Sequence, residues 1–224
     1  MTFGEKVLAF YSNLQLDGPL PKGVEVMNPY QDKTCLRVCR AFYKRYYDDT
    51  RERFLVLGIN PGRYGAGLTG IPFTDPVKLE SVFGIQNTFP KRPELSADFI
   101  HQVIRAFGGY EEFFSRFFIN SVSPLGFVSE GRNLNYYDTP ALQKSLEPFI
   151  IKSIKSQLKI GIKREIAFCL GEGDNYRFLH MINEREKFFA KIIPLAHPRF
   201  VMQYKRKKVQ HYINDYLEKL NSIA

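Results

Sequence analysis

Four short apolar runs, near residues 53–59, 117–122, 165–170 and 191–196, are separated by longer stretches in which apolar side chains recur at helical spacing. The runs read as buried strands, and the stretches between and around them as helices at 3–14, 30–47, 95–107 and 174–184. In the terminal helix, opened by Lys205-Arg206-Lys207-Lys208, the residues Val209, Ile213, Tyr216, Leu217 and Leu220 form one core-facing stripe. A further helical region opens at Thr139-Pro140, where Thr suits an N-cap and Pro the first helical position, and Pro148 is expected to kink or restart it. Residues 131–138 read as turns. Strands that alternate with helices predict an α/β fold, a three-layer αβα sandwich around a mostly parallel sheet covered on both faces. Without an internal repeat, a low-complexity tract or a linker, residues 1–224 read as one domain.

The end of the first strand carries the strongest chemical signal. Phe54-Leu-Val-Leu-Gly-Ile59-Asn60-Pro61-Gly62 empties an apolar run into a polar Asn, followed by a Pro that fixes its own φ and a Gly that permits close approach. Open α/β sheets bind ligands at such carboxyl ends, so Asn60 is a candidate to meet a substrate. Downstream, Phe118-Ile119-Asn120 and Ile192-Ile-Pro-Leu-Ala-His197-Pro198 repeat the arrangement of a strand that ends on a polar side chain.

With the continuation Arg63-Tyr64-Gly65-Ala-Gly67-Leu-Thr69-Gly70-Ile71-Pro72-Phe73, these three segments resemble the motifs of the uracil-DNA glycosylase superfamily. The similarity is greatest to its single-strand-selective monofunctional branch, in which the first motif continues into Thr-Gly-Val-Pro-Phe. The resemblance covers about residues 54–200, and implies a four-stranded sheet in the order 2-1-3-4 and hydrolysis of the N-glycosidic bond of uracil in DNA. It also implies that Asn60 orients the attacking water.

The chemistry of the residues is consistent with that role. A neutral His197 can donate a hydrogen bond to uracil O2 as negative charge builds there. Asn60 can hold a water through its side-chain carbonyl, although an amide is a negligible base. Asn120 can give a donor to O4 and an acceptor to N3–H, a pattern that cytosine reverses, and Phe73 offers a face for a flipped base. Ile59 and Tyr64 are expected beside the base. Gly62 is expected to leave room at its C5 edge, which suits 5-substituted uracils such as hydroxymethyluracil, and a roomier pocket would take xanthine. No Lys occupies a motif position, so no Schiff base with the sugar is expected and the activity reads as monofunctional.

Charge adds a partner. The chain carries a formal net charge of +9, and residues 187–224 hold eight Lys and Arg against two Asp and Glu. This excess, together with Arg63 and Arg199, points to DNA phosphates for Lys205, Arg206, Lys207 and Lys208. After His197-Pro198 the branch has Ser-Pro-Arg, whereas this chain runs Arg199-Phe200-Val-Met202, so Phe200 or Met202 is the candidate to fill the vacated base stack. Arg63-Tyr64 likewise replaces the commoner Pro-Phe.

Cys35, Cys39 and Cys169 give neither a disulfide framework nor a CxxC pair, and no metal or other cofactor is expected. The N-terminal segment has an acid and too short an apolar run for a signal peptide, no long apolar stretch follows, and the chain reads as cytoplasmic and free of membrane. A monomer that passes its abasic product to an abasic-site endonuclease is the expected setting. Two other readings stand beside it: a noncatalytic nucleic-acid-binding module on the same fold, and a nucleotide-binding enzyme that uses Gly62 to Gly67 as a phosphate cradle. The latter lacks the Gly-Lys-Ser/Thr of a P-loop.

Overall fold

The computed structural model describes residues 1–223. Along the chain come α1 (Phe3–Ser12), β1 (Glu25–Met27), α2 (Lys33–Tyr46), β2 (Arg53–Gly58), α3 (Ala66–Thr69), α4 (Pro76–Ser81), α5 (Leu95–Phe107) and α6 (Tyr110–Arg116). There follow β3 (Phe117–Ser121), β4 (Gly126–Ser129), β5 (Arg132–Leu134), α7 (Pro140–Leu158), β6 (Ile162–Leu170), α8 (Asp174–Glu186), β7 (Lys191–Leu195), α9 (Pro198–Tyr204) and α10 (Val209–Asn221). The main sheet has the order β3-β2-β6-β7 and every neighbouring pair is parallel. Counted as four strands this is the order 2-1-3-4, as the resemblance implied.

Side chains alternate across the sheet as the strand period requires. Val56 and Ile119 face α5, α6 and α10, where they meet Ile100, Phe113 and Tyr216. On the other face Phe118 packs edge-on against Phe3 of α1 and lies beside Tyr43 of α2. At the foot of β2 the fully buried Arg53 is sandwiched between the rings of Phe3 and Tyr47, 4.6 and 4.8 Å from its guanidinium carbon. Its charge is met by both carboxylate oxygens of Asp49 at 2.8 Å and by the Phe114 carbonyl at 2.7 Å.

The structure differs from the sequence reading in four places. The helix of residues 140–158 runs through Pro148 without restarting. Proline there removes one backbone hydrogen bond, a cost of about 3 kcal/mol; the buried stripe of Leu142, Leu146, Phe149, Ile150 and Ile154 offsets it. The turn-rich stretch contains β5, which pairs with β4 through a two-residue turn, Glu130-Gly131, both with positive φ. With β1 these strands form a small antiparallel sheet in the order β1-β4-β5, which the sequence reading lacked. The third strand of the main sheet starts at Ile162, earlier than expected, because the charged Lys163-Arg164-Glu165 masks its apolar pattern. Finally, Lys205 to Lys208 does not open the last helix: Arg206–Lys208 is a 3-10 turn between α9 and α10, and α10 begins at Val209.

The Thr69-Gly70-Ile71-Pro72-Phe73 segment is held on α2. Gly70 ends α3 at φ 69°, and a Cβ there would lie 2.6 and 2.7 Å from the Cys35 and Cys39 sulfurs and 2.9 Å from the Tyr30 ring. The two thiols, 3.9 Å apart, are therefore part of the seat for this loop. Gly70→Ala is expected to destabilise the protein by about 2–4 kcal/mol, the sum of a left-handed backbone penalty and overpacking. Urea unfolding would show this as a lower midpoint at unchanged slope, and a loss under about 1 kcal/mol would contradict the seat. Among the described residues no helix is long and apolar enough to cross a membrane.

Candidate active site

Because the four strands of the main sheet are parallel, all their carboxyl ends open on one edge. A cleft of about 550 Å³ lies there, lined by Asn60 after β2, Ser121 at the end of β3, Gly171 after β6 and His197 after β7. Past the end of the ladder, Gly58 and Ile59 carbonyls accept from the Val122 and Ser123 amides at 2.9 and 3.1 Å, which extends the rigid support to the base of Asn60.

The Asn60 side chain reaches across to the end of β5 and the segment that follows it. Its Nδ2 donates to the Leu134 carbonyl at 3.0 Å and its Oδ1 accepts from the Tyr136 amide at 3.0 Å. Tyr136 is itself buried and donates through its hydroxyl to Asn175 Oδ1 at 2.8 Å, while Asn175 Nδ2 donates to the Leu170 carbonyl at 3.0 Å. Asn60 is thereby tied to β6 through two side chains. A carbonyl oxygen has two acceptor sites, so Oδ1 retains one for a water.

His197 caps α9: its Nδ1 accepts from the Arg199 amide at 3.2 Å. With Nδ1 as acceptor, the neutral ring carries its proton on Nε2. Burial, then the Arg199 charge, lowers the imidazole from its ordinary value to about 4, so the ring is neutral at physiological pH. Phe73 lines the cleft with its ring over the backbone of Gly58, and among the described residues it is one of three non-glycines with positive φ, at 52°. Such a backbone costs energy and persists where the surroundings over-determine it. Behind it, His101 is buried and lowered to about 4, chiefly by desolvation, and hydrogen-bonds Tyr110 at 2.9 Å.

Asn120 is only 1% exposed and, unlike its neighbour Ser121, is not in the cleft lining. Its Oδ1 accepts from the Ser121 amide at 2.9 Å, while its Nδ2 is buried and has no hydrogen-bond partner among the described residues. A buried amide donor left unpaired costs about 1–3 kcal/mol, so Nδ2 is a donor available to a water or a ligand.

Three expectations need correction. The space over Gly62 is not open: a Cβ there would lie 3.0 Å from Glu94 Oε1 and 3.6 Å from Asn133 Nδ2. Tyr64 is not in the cleft lining; its ring is stacked between the guanidinium groups of Arg63 and Arg92, 4.6 and 4.7 Å from its centroid, with Arg63 further bound to the Gly131 carbonyl. Met202 is buried, 6% exposed, because α9 turns Val201 and Met202 inward toward the core; it cannot reach a DNA stack without unpacking. The outward face of α9 instead presents Phe200 and Tyr204, 41% and 67% exposed, with ring centroids 5.9 Å apart. Tyr204 was missed, although its spacing of four from Phe200 on a helix that starts at Pro198 was a usable signal. Ile59 and Arg199 line the cleft, and Lys205 to Lys208 are exposed, with Lys205 Nζ 5.8 Å above the Phe200 ring.

The largest omission is Glu94, the residue before α5. It lines the cleft half-buried, and burial, then the nearby Asp75 carboxylate, raises it to about 7 against the opposing pull of Arg199 and Lys78. Asp75 also fixes its backbone, accepting from the Glu94 amide at 3.1 Å.

The model of the Uracil DNA glycosylase superfamily matches residues 45–221, a span that contains all three strand ends and α9. This chain belongs to that superfamily. Within it, the rat (Rattus norvegicus) single-strand selective monofunctional uracil-DNA glycosylase is 31% identical over 145 residues, 57% of this chain and 51% of that protein. The mouse (Mus musculus) counterpart is 30% identical over 148 residues, 58% of this chain and 52% of that protein. The chain thus spans about half the length of these mammalian relatives. A solved structure, that of Pedobacter heparinus SMUG2, is 44% identical and superposes with a TM-score of 0.97 over 100% of this chain and 98% of that one.

Proposed function

We propose that the protein is a monofunctional DNA glycosylase that hydrolyses the N-glycosidic bond of uracil and leaves an abasic site, with hydroxymethyluracil and xanthine as further substrates. The observation that carries this reading is a neutral His197 whose free Nε2–H shares one cleft with a fixed Asn60.

In this mechanism the flipped base lies on Phe73, with O2 toward His197 and its N3–O4 edge toward Asn120. The C1′–N1 bond breaks, its electron pair goes to the base, and the charge that gathers on O2 is stabilised by the His197 N–H. The sugar oxocarbenium ion is electrophilic enough to take a neutral water held on Asn60 Oδ1, and the proton that this water loses passes to solvent. The Asn120 amide is oriented by the Ser121 N–H, which leaves Nδ2 to donate to O4. The cytosine amino group would meet that donor with another donor, a mismatch of about 1–3 kcal/mol. No lysine lines the cleft among the described residues, which supports simple hydrolysis over Schiff-base chemistry.

Phe200, backed by Tyr204, is the proposed wedge, and Arg63, Arg199 and Lys205 to Lys208 the proposed phosphate contacts. The volume of the cleft supports a deaminated purine as well as a pyrimidine. A cytoplasmic monomer that hands its abasic product to an endonuclease completes the proposal.

The test is excision from labelled oligonucleotides that carry uracil, hydroxymethyluracil, xanthine or hypoxanthine, single- and double-stranded, without added metal. Strand breaks that appear only after alkali are the expected result. Retained DNA binding with no excision of any base would overturn the proposal in favour of a binding module.

A further inference from the structure

The Glu94 carboxylate occupies the position that a side chain on Gly65 would take, and its Oε1 also lies 3.0 Å from where a Cβ on Gly62 of the same loop would be. Gly65 cannot carry a Cβ without displacing it, and one on Gly62 would press on it, so the first motif loop is bare where the carboxylate sits. The mechanism above gives Glu94 no task. Its oxygens have no hydrogen-bond or ion-pair partner among the described residues, and the charges that act on it, Asp75, Arg199 and Lys78, do so at a distance. Beside it, Asn133 Nδ2 approaches the same point, its own Oδ1 already engaged by the Arg63 amide at 3.3 Å. One acceptor and one donor thus converge over Gly62.

On the proposed orientation of the base, with O2 at His197 and the N3–O4 edge at Asn120, the remaining C5–C6 edge faces Gly62. We propose that Glu94, with Asn133 as its companion, reads the 5-position of the base and selects a hydroxymethyl group over an alkyl group. This rests on the glycosylase reading of the site and on that orientation. A hydroxyl both donates and accepts, so it can donate a hydrogen bond to a Glu94 oxygen, which accepts whether or not the carboxyl is protonated, and accept one from Asn133. A methyl or ethyl group at the same place would strip water from the carboxylate and return no hydrogen bond. A hydrophobic pocket discriminates poorly against an added hydroxyl, whereas a site built to bond one rejects the analogue that lacks it. The normal base thymine and the damaged base hydroxymethyluracil differ only by this hydroxyl, so an apolar wall at Gly62 would separate them badly, and a carboxylate separates them in the useful direction.

The test compares kcat/KM for oligonucleotides that carry uracil, 5-hydroxymethyluracil or its near-isostere 5-ethyluracil, in the wild type, Glu94→Gln and Glu94→Ala. The wild type is expected to favour hydroxymethyl over ethyl by at least about tenfold. Glu94→Ala should remove most of that ratio and raise thymine excision relative to uracil. Glu94→Gln, whose amide still accepts, should retain a large part of it. A wild type that excises uracil but treats hydroxymethyl and ethyl alike overturns this inference alone, as does an unchanged ratio in Glu94→Ala. A wild type that excises no base overturns the glycosylase reading instead.

Discussion

Replacing His197 by alanine is expected to lower the single-turnover rate of uracil excision by about 10²–10³-fold, the usual cost of one preorganised donor to a developing oxyanion. The donor is set by the chain itself. Because the Arg199 amide occupies Nδ1, only Nε2 can carry the proton of a neutral ring, and this geometry needs no substrate to form it. Burial and Arg199 hold the imidazole near 4 rather than at its ordinary 6.5, so the catalytic form persists as the pH falls well below neutrality. The rate component due to His197 should therefore stay flat across neutral and mildly acidic pH and change only near pH 4. Stability has the matching sign. The unfolded chain binds a proton on this residue from its ordinary value downward while the folded chain does not, so the contribution is complete above pH 6.5 and is lost as the pH falls toward 4. His101 acts in the same direction over the same window. A pH–rate profile that broke near 6.5 and lost that break in His197→Ala would show instead that the ring works as a titrating acid.

Asn60→Ala should reduce the rate by about 10²-fold, because it removes both the acceptor for water and the two bonds that align the segment after β5. Asn60→Asp separates these roles. Both substitutions lose the donor to the Leu134 carbonyl, and aspartate also places a charge against that oxygen. Aspartate nevertheless keeps an acceptor for the Tyr136 amide and for water, and its charge favours an oxocarbenium ion. If water positioning is the larger role, Asn60→Asp should exceed Asn60→Ala by about tenfold or more, as a positioned acid–base group contributes. Equal rates in the two variants would make Asn60 a clamp for the loop and nothing more. Thermal melting run beside the kinetics identifies any part of the loss that comes from stability.

The residues that could be read from the chain share one property: their context is local. Asn60 and His197 each sit just past a strand end and beside a proline that limits the backbone, and Phe73 directly follows a proline in the same motif loop. Parallel order then follows from strands that alternate with helices. The errors also share a property. Pro148 lies in a helix whose stability comes from a packed face, and that face outweighs the local preference to break. Met202 and Phe200 are neighbours in sequence, but the orientation of α9 sends one to the core and the other to the rim.

The amino-acid order therefore determines the strand ends, the rigid turns and the chemical identity of the three side chains that meet at one edge of the sheet, because these depend on interactions within a few residues. Only the packed structure decides that Asn60 binds backbone 74 and 76 residues away, that burial keeps His197 neutral well below its ordinary value, and that Glu94 fills the space beside Gly65 and Gly62. Each of these depends on desolvation and on contacts between distant segments, and neither exists until the chain has closed on itself.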